Sequence, residues 1–416
     1  MVVNLSQRRL ALIAFISIFT TFIGELLQTF IIPCATLLPS IDNYFYAEFS
    51  YGVYFIGAIC GLIAGFFLVN ILKFRKTYLL GIAISCMISI LAMLLTTYAF
   101  KVNHSYNDFY YYTILYGFRI ISGFGVSLTY GLNSALIVRY FKNNVQLSCW
   151  RLKFTYSSNQ IFAWCYMALL LEITINPVVA YNLFHSCSPL MASRYLTLIN
   201  IIWFILCFFI LPSDERSQNS KNKDKSFLVI MGQHKRFILS ALALGVTTGI
   251  VIIINTALPL LINKYFMKLT SNYEIVNGML VISSALGAFV SSLIKNNKLL
   301  SLSKKTIFLL AICAIFAILI PSKYVVIICY FMLISIGTGF LLPILNNISM
   351  LSIETKYQTT ASVTLNIFIL FALFLFNLIG AKINIHIFEL KIIICLAIIF
   401  VYFIIVQINR LKHEIS

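Results

Sequence analysis

The 416-residue chain is 61% hydrophobic and 10% charged, with a mean hydropathy of +0.96. So little charge cannot cover a water-soluble protein of this length, so the solvent around it is lipid. A net charge of +18 would suit nucleic acid if it were gathered on one face, and its placement along the chain excludes that.

Twelve spans are expected near 10–34, 51–72, 77–100, 109–138, 152–173, 194–212, 236–262, 274–294, 306–320, 323–350, 358–381 and 387–408. The first run is long enough to span and lacks a small-residue cleavage site, so it reads as a true first helix rather than a removable signal. Of the 30 basic residues, 22 fall on segments assigned to one side, including Arg8, Arg9, Lys73, Arg75, Lys76, Arg139, Lys142 and the cations between Arg216 and Arg236. Lys391 is assigned to the opposite side. The bias fits both termini being cytoplasmic. The basic excess is therefore a topology signal.

The polar stretch 213–235 is the only solvated linker expected, and it separates an N-terminal six-helix bundle (1–212) from a C-terminal one (236–416). Within it Phe227–Met231 is apolar but too short to span. Two readings stay open: it lies flat on the inner surface, or it packs beneath the bundle. The ten cysteines lie mostly inside apolar runs without metal-ligand spacing, which suits packing. Asn103-His104-Ser105 is a glycosylation sequon on an expected outer loop. The five histidines fall outside or at the ends of spans, so no cofactor, metal or enzymatic centre is expected.

The halves repeat each other. Thr20-Thr21 and Gln28-Thr29 return as Thr247-Thr248 and Asn255-Thr256, offset 227. Gly65-x-Phe67 returns as Gly287-x-Phe289, offset 222; Gly123-x-Gly125 with Asn133 returns as Gly337-x-Gly339 with Asn347, offset 214; Gln160-Ile161-Phe162 returns as Asn366-Ile367-Phe368, offset 206. Four matches in chain order with shrinking offsets point to a duplicated set of membrane helices, the usual plan of transporters.

The fourth span carries Leu115-x-x-x-Arg119-x-x-Ser122-Gly123-x-Gly125, and the second is followed by Gly65-x-x-x-x-Asn70 with Lys73, Arg75 and Lys76. Both patterns resemble signatures of the major facilitator superfamily. The resemblance implies an all-α membrane protein of twelve transmembrane helices in two pseudo-twofold related six-helix bundles. The inner loop departs from the family pattern, with Val69 or Asn70 at the usual acid and Phe74 at the internal glycine, which implies gating by other contacts. Arg139-Tyr140-Phe141-Lys142 is similar to the lysosomal dipeptide uniporter branch, but Val126-Ser127 stands where that branch has an acid. The subfamily stays open.

Two ionisable groups are expected deep in the membrane, Glu25 and Arg119, each with an energetic cost of roughly 2.5–3.5 kcal/mol that demands a reason. Thr21, Gln28 and Thr29 share the helix face of Glu25, a polar stripe suited to a wet cavity. Glu25 then either accepts a proton or a cationic substrate group, or is the buried counter-ion of Arg119. Arg119 is a relay, a ligand contact or a structural clamp. Tyr130 and Asn133 lie on the same face of span four as Arg119 and are further substrate candidates.

The resemblance places Gln28, Asn133, Asn255 and Asn347 on the first, fourth, seventh and tenth helices, which line the family's central cavity. Pro259, one turn after Asn255, frees a carbonyl there. At these offsets Glu25 corresponds to Ile252 and Arg119 to Leu333, so buried charge is expected in one half only. The glycines at 123, 125, 337 and 339 are expected to be close-packing sites.

The function expected is secondary active or facilitative transport of a small polar metabolite, of amino-acid, peptide or organic-anion type, by rocker-switch alternating access. The partners expected are that solute, protons and the lipid bilayer, for a monomer with no nucleic-acid role. The alternatives are a sensor or scaffold that keeps the fold without transport, and a sugar or nucleoside as the solute.

Overall fold

The computed structural model describes residues 7, 9–20, 43–101, 108–141, 145–149, 152–171, 189–212, 234–265, 273–294, 298–319, 324–354, 357–382 and 387–413. They form twelve helices: α1 (9–20), α2 (Asn43–Leu72), α3 (Phe74–Lys101), α4 (Asp108–Phe141), α5 (158–171), α6 (Pro189–Ile210), α7 (Lys235–Tyr265), α8 (Tyr273–Ser292), α9 (Leu299–Leu319), α10 (Tyr324–Leu351), α11 (Gln358–Lys382) and α12 (Ile387–His413). Helices dominate because hydrocarbon offers no partner to backbone amides, and a helix satisfies them within one segment. Among the described residues, six stretches are long and apolar enough to cross a membrane: Phe74–Leu94, Tyr116–Phe141, Leu299–Phe316, Ile328–Leu351, Gln358–Phe376 and Phe388–Leu411. The chain is a multi-pass membrane protein.

Among the described residues, the exception to the all-helical plan lies at the expected start of the fifth span. Val145–Cys149 (β1) and Leu152–Tyr156 (β2) pair as an antiparallel hairpin, with Val145 opposite Tyr156 and Cys149 opposite Leu152. The segment Leu152–Tyr156 therefore belongs to a ribbon, not to a helix. What starts α5 is a capping box. The Ser157 amide donates to Gln160 Oε1 at 2.8 Å, and the Gln160 amide donates back to Ser157 Oγ at 3.4 Å.

The turn between α2 and α3 is a single residue. Lys73 has φ 68°, the left-handed conformation. Its amide donates to the Val69 carbonyl at 3.0 Å, while its own carbonyl accepts from the Thr77 amide and from Thr77 Oγ1 at 2.8 Å. These bonds close one helix and open the next, so the residue holds αL despite the steric cost of its Cβ.

The chain folds as two compact units. One comprises Met1–Asn133 and Ile175–Lys223, the other Ser134–Thr174 and Asp224–Ser416. This division differs from the sequence halves: the last turns of α4, the hairpin and α5 pack with helices of the second half. In the first unit α3 packs on α2 and α6; in the second, α10 packs on α7, α8 and α9, while α7 also holds α11 and α12. Buried apolar side chains such as Phe237, Leu244, Phe331, Leu341 and Ile398 fill the second unit. Phe209, Leu319 and Phe403 are exposed, as lipid-facing surface should be.

Glycines set the closest helix approaches. A Cβ on Gly57 or Gly61 of α2 would run into the carbonyl of Ile120 or Phe124 on α4, and one on Gly123 into that of Tyr54. In the second unit a Cβ on Gly287 of α8 would meet the Ile336 carbonyl, and one on Gly339 of α10 the Ser284 carbonyl. The α2–α4 contact is thus rebuilt as α8–α10.

It also corrects the repeat register. Gly57 and Tyr54 match Gly287 and Ser284 at an offset of 230, while Ile120 and Gly123 match Ile336 and Gly339 at 216. At this register Arg119 corresponds to Ser335 and Asn133 to Ser349, not to Leu333 and Asn347. The sequence offsets failed because letter matches in glycine-rich helices slip easily, whereas a backbone-to-backbone approach admits one phase.

The expectation that buried charge lies in one half only is also corrected: Lys391 lies in the second turn of α12 at 3% exposure. Buried charge is therefore not confined to the first half. A long aliphatic stem lets lysine sink at a helix end while its head seeks polar company, which hydropathy does not register.

Candidate functional site

The candidate site is built on α4. Arg119 is fully buried, with Ser122 one turn on also buried, and Tyr130 half-buried three turns along. The helix can carry polar groups here because its hydroxyls bond back to its own carbonyls: Ser127 Oγ to Phe124 O at 3.0 Å and Thr129 Oγ1 to Val126 O at 2.6 Å.

Asn133 turns to α1, its Nδ2 donating to the Ser17 carbonyl at 3.0 Å. One turn along α1, Thr20 Oγ1 accepts from Tyr78 of α3 at 3.0 Å. The last turn of α1 is therefore pinned to both α3 and α4. Asn133 engages the backbone that leads to the polar stripe expected on α1. Glu25 and Gln28, the residues of that stripe, lie outside the described residues. Asn255 lies on α7, and its side chain is outside the described residues as well.

The α3–α6 contact is zipped by polar bonds. Asn200 Nδ2 donates to Ser89 Oγ at 3.1 Å, Thr197 Oγ1 to the Ser89 carbonyl at 3.1 Å, and Cys86 Sγ to the Asn200 carbonyl at 3.0 Å. At one end of this contact Arg75 donates from Nη2 to the Phe208 carbonyl at 2.6 Å and lies 5.5 Å from the centroid of the Phe208 ring. A guanidinium among the last carbonyls of a helix is electrostatically favoured. The inner-loop arginine is thus engaged with the end of α6.

The second unit holds a separate polar seam where α5 begins. Ser158 Oγ donates to Asn347 Oδ1 of α10 at 2.7 Å, and Asn159 Nδ2 donates to the Ser291 carbonyl of α8 at 2.8 Å. Asn346 Nδ2 donates to the Tyr166 hydroxyl at 3.2 Å, and Ser362 Oγ of α11 accepts from the Ala135 amide of α4 at 3.1 Å. All are buried and all are neutral. Pro343 lies one turn before Asn347 on α10, where its missing N–H leaves the Gly339 carbonyl without a helix bond.

Of the anticipated residues, Arg119, Tyr130 and Asn133 thus share α4, while Asn347 belongs to the seam. Ser158, Asn159, Asn346 and Ser362 were not anticipated. The signal for them was Ser157-Ser158-Asn159-Gln160, a capping box whose second and third residues are also polar. On the first turn of a membrane helix, such residues need partners on neighbouring helices.

No curated protein matches this sequence. The fold is shared with solved structures at low identity. The outward-facing crystal structure of a bacterial homologue of the iron transporter ferroportin aligns with TM-score 0.72 at 14% identity, over 97% of this chain and 100% of that one. With soaked iron, such a homologue aligns with TM-score 0.68 at 14% identity, over 96% and 99%. The transporter FucP in its outward conformation aligns with TM-score 0.69 at 12% identity, over 96% of this chain and 98% of that one. The sequence profile of the Major Facilitator Superfamily matches residues 11–377, nearly the whole helical array described above. The chain belongs to that superfamily, whose fold supports membrane transport by alternating access.

Proposed function

We propose that the protein is a secondary active or facilitative transporter of a small polar metabolite, working by rocker-switch alternating access between bundles 1–212 and 236–416, with both termini cytoplasmic. The observation that carries this reading is Arg119, a fully buried cation on a glycine-packed membrane helix. Such a charge is costly to bury and marks solute or ion pathways. On this reading Glu25, Gln28, Arg119, Tyr130 and Asn133 contact the solute or couple its movement to protons. Asn255 contributes from α7, and Asn347 supports the path through α10. The solute is of amino-acid, peptide or organic-anion type, because a carboxylate, a guanidinium, amides and a phenol recognise zwitterions and anions. The protein acts as a monomer in the bilayer, is not an enzyme and uses no cofactor.

The test is uptake by purified protein in liposomes, with and without a pH gradient. The panel holds amino acids, dipeptides, organic anions, sugars, nucleosides and ferrous iron, the last because one structural neighbour is a homologue of an iron transporter. Saturable uptake of one polar organic solute, lost in Arg119→Gln, is the expected result. Uptake that Arg119→Gln and Glu25→Gln leave unchanged refutes the assignment of both residues. Tight binding of a solute without flux supports the sensor reading instead.

A further inference from the structure

The seam at the start of α5 has unequal partners. Asn347 uses Oδ1 to accept from Ser158, and among the described residues its Nδ2 meets no hydrogen-bond partner. Asn159 uses Nδ2, and its Oδ1 meets none; Asn346 likewise uses Nδ2 and leaves Oδ1 without a partner. Ser158, Asn159 and Asn347 have no exposed surface, and Asn346 is 5% exposed. Three buried amides, on two helices that face each other, are each satisfied at one end only. A buried amide end without a partner carries a desolvation cost, and the other conformer of a moving helix contact is where such a cost can be recovered.

We infer that these amides form a partner-exchanging latch: Ser158 and Asn159 hold α5 against α10 and α8 in the present state, and the idle end of Asn347 is bonded in the state where α5 has let go. The inference rests on alternating access as the working motion and adds how it is held. Packed helix contacts switch between discrete arrangements rather than deforming smoothly. An element whose two hydrogen-bond sets are of similar strength is bistable, which a latch requires. No charged group takes part in the seam as described, so its strength does not depend on ionic strength. The proline at 343, one turn from Asn347, weakens the α10 backbone where an exchange of partners asks the side chains to reorient.

Ser158→Ala and Asn347→Ala remove the same hydrogen bond from opposite sides, and the latch predicts different outcomes for them. Ser158→Ala deletes a partner used only in the latched state. It should raise the ratio of released to latched protein about five-fold, the equivalent of one net hydrogen bond of ~1 kcal/mol. Asn347→Ala deletes a group used in both states and should leave that ratio within about two-fold of wild type.

The readout is hydrogen–deuterium exchange of residues 158–171 and 343–351 in the full-length protein in nanodiscs, with thermal melting to confirm folding. Faster exchange at both segments in Ser158→Ala but not in Asn347→Ala supports the latch. Equal acceleration in both, or none in Ser158→Ala, overturns it. Should Asn347→Ala fail to fold, Asn347→Ser replaces it with the same expectation. Solute uptake by the wild-type protein is scored separately: absent flux counts against transport, whereas the exchange pattern alone decides the latch.

Discussion

Gly287→Ala tests both the packing and the repeat register. The added methyl would lie 2.7 Å from the Phe340 nitrogen and closer still to the Ile336 carbonyl. Carbon contacts sit comfortably at about 3.5–4.0 Å, so α8 and α10 must part by roughly 1 Å. A gap of that size forfeits up to half of each dispersion contact along the interface, and overpacked sites typically lose ~1–3 kcal/mol. We expect about 2–3 kcal/mol of lost stability for Gly287→Ala, and a similar loss for Gly57→Ala against Ile120. Gly65→Ala should be milder, because its methyl meets the end of the flexible Leu128 side chain at 3.1 Å. Gly117→Ala has nothing within 4 Å and should be neutral or slightly stabilising. Gly287→Ala with Gly339→Ala should cost well below the sum of the two, since a parted interface accommodates both methyls. Thermal melting of detergent-solubilised variants against wild type reads these changes. If Gly65→Ala matches Gly287→Ala while Gly57→Ala is harmless, the register drawn from the backbone contacts is wrong and the letter-matched one stands.

Lys73→Gly should stabilise the protein by about 1 kcal/mol, because glycine adopts φ 68° without Cβ strain; a lower melting temperature would show that the lysine side chain outweighs the backbone term. Asn200→Ala leaves Ser89 Oγ without its donor and should cost about 1 kcal/mol, near the value of an interhelical bond in lipid, as a double-mutant cycle with Ser89→Ala would report. Asn133→Leu should slow transport through the placement of α1, raising neither aggregation nor solute selectivity; unchanged uptake would mean that the Ser17 contact does not position the stripe. Glu25→Gln should flatten the pH dependence of uptake, and a profile identical to wild type would remove Glu25 from proton coupling.

Much of the fold was legible because lipid imposes a harsh rule on the sequence. Runs of apolar residues, interrupted by short cationic segments, force helices and allow twelve of them to be placed in order, although α2 begins at Asn43 rather than 51, α9 at Leu299 rather than 306 and α5 at 158 rather than 152. Arg119, Gly123 and Gly125 stood out because each breaks the expected composition of a membrane helix for a reason that local physics supplies. The capping box at Ser157 and Gln160 was also there to be read, yet it was hidden inside a span assigned by hydropathy alone. Lys391 escaped for the converse reason, since hydropathy treats a lysine at a helix end as solvated.

What the sequence determined by itself is the membrane class, the helix order and the fact of duplication, all of which follow from composition and period along one dimension. The rotational phase of each helix was decided only in three dimensions. Two residues of slip turn a helix by about 200°, and letter matching cannot resolve that, whereas a glycine against a neighbouring carbonyl can. The same holds for the polar groups. That Asn133 would clamp α1, that Asn347 would meet Ser158, and that 134–174 would pack with the second half depended on which helices lie side by side, and side-chain partners are chosen by that proximity.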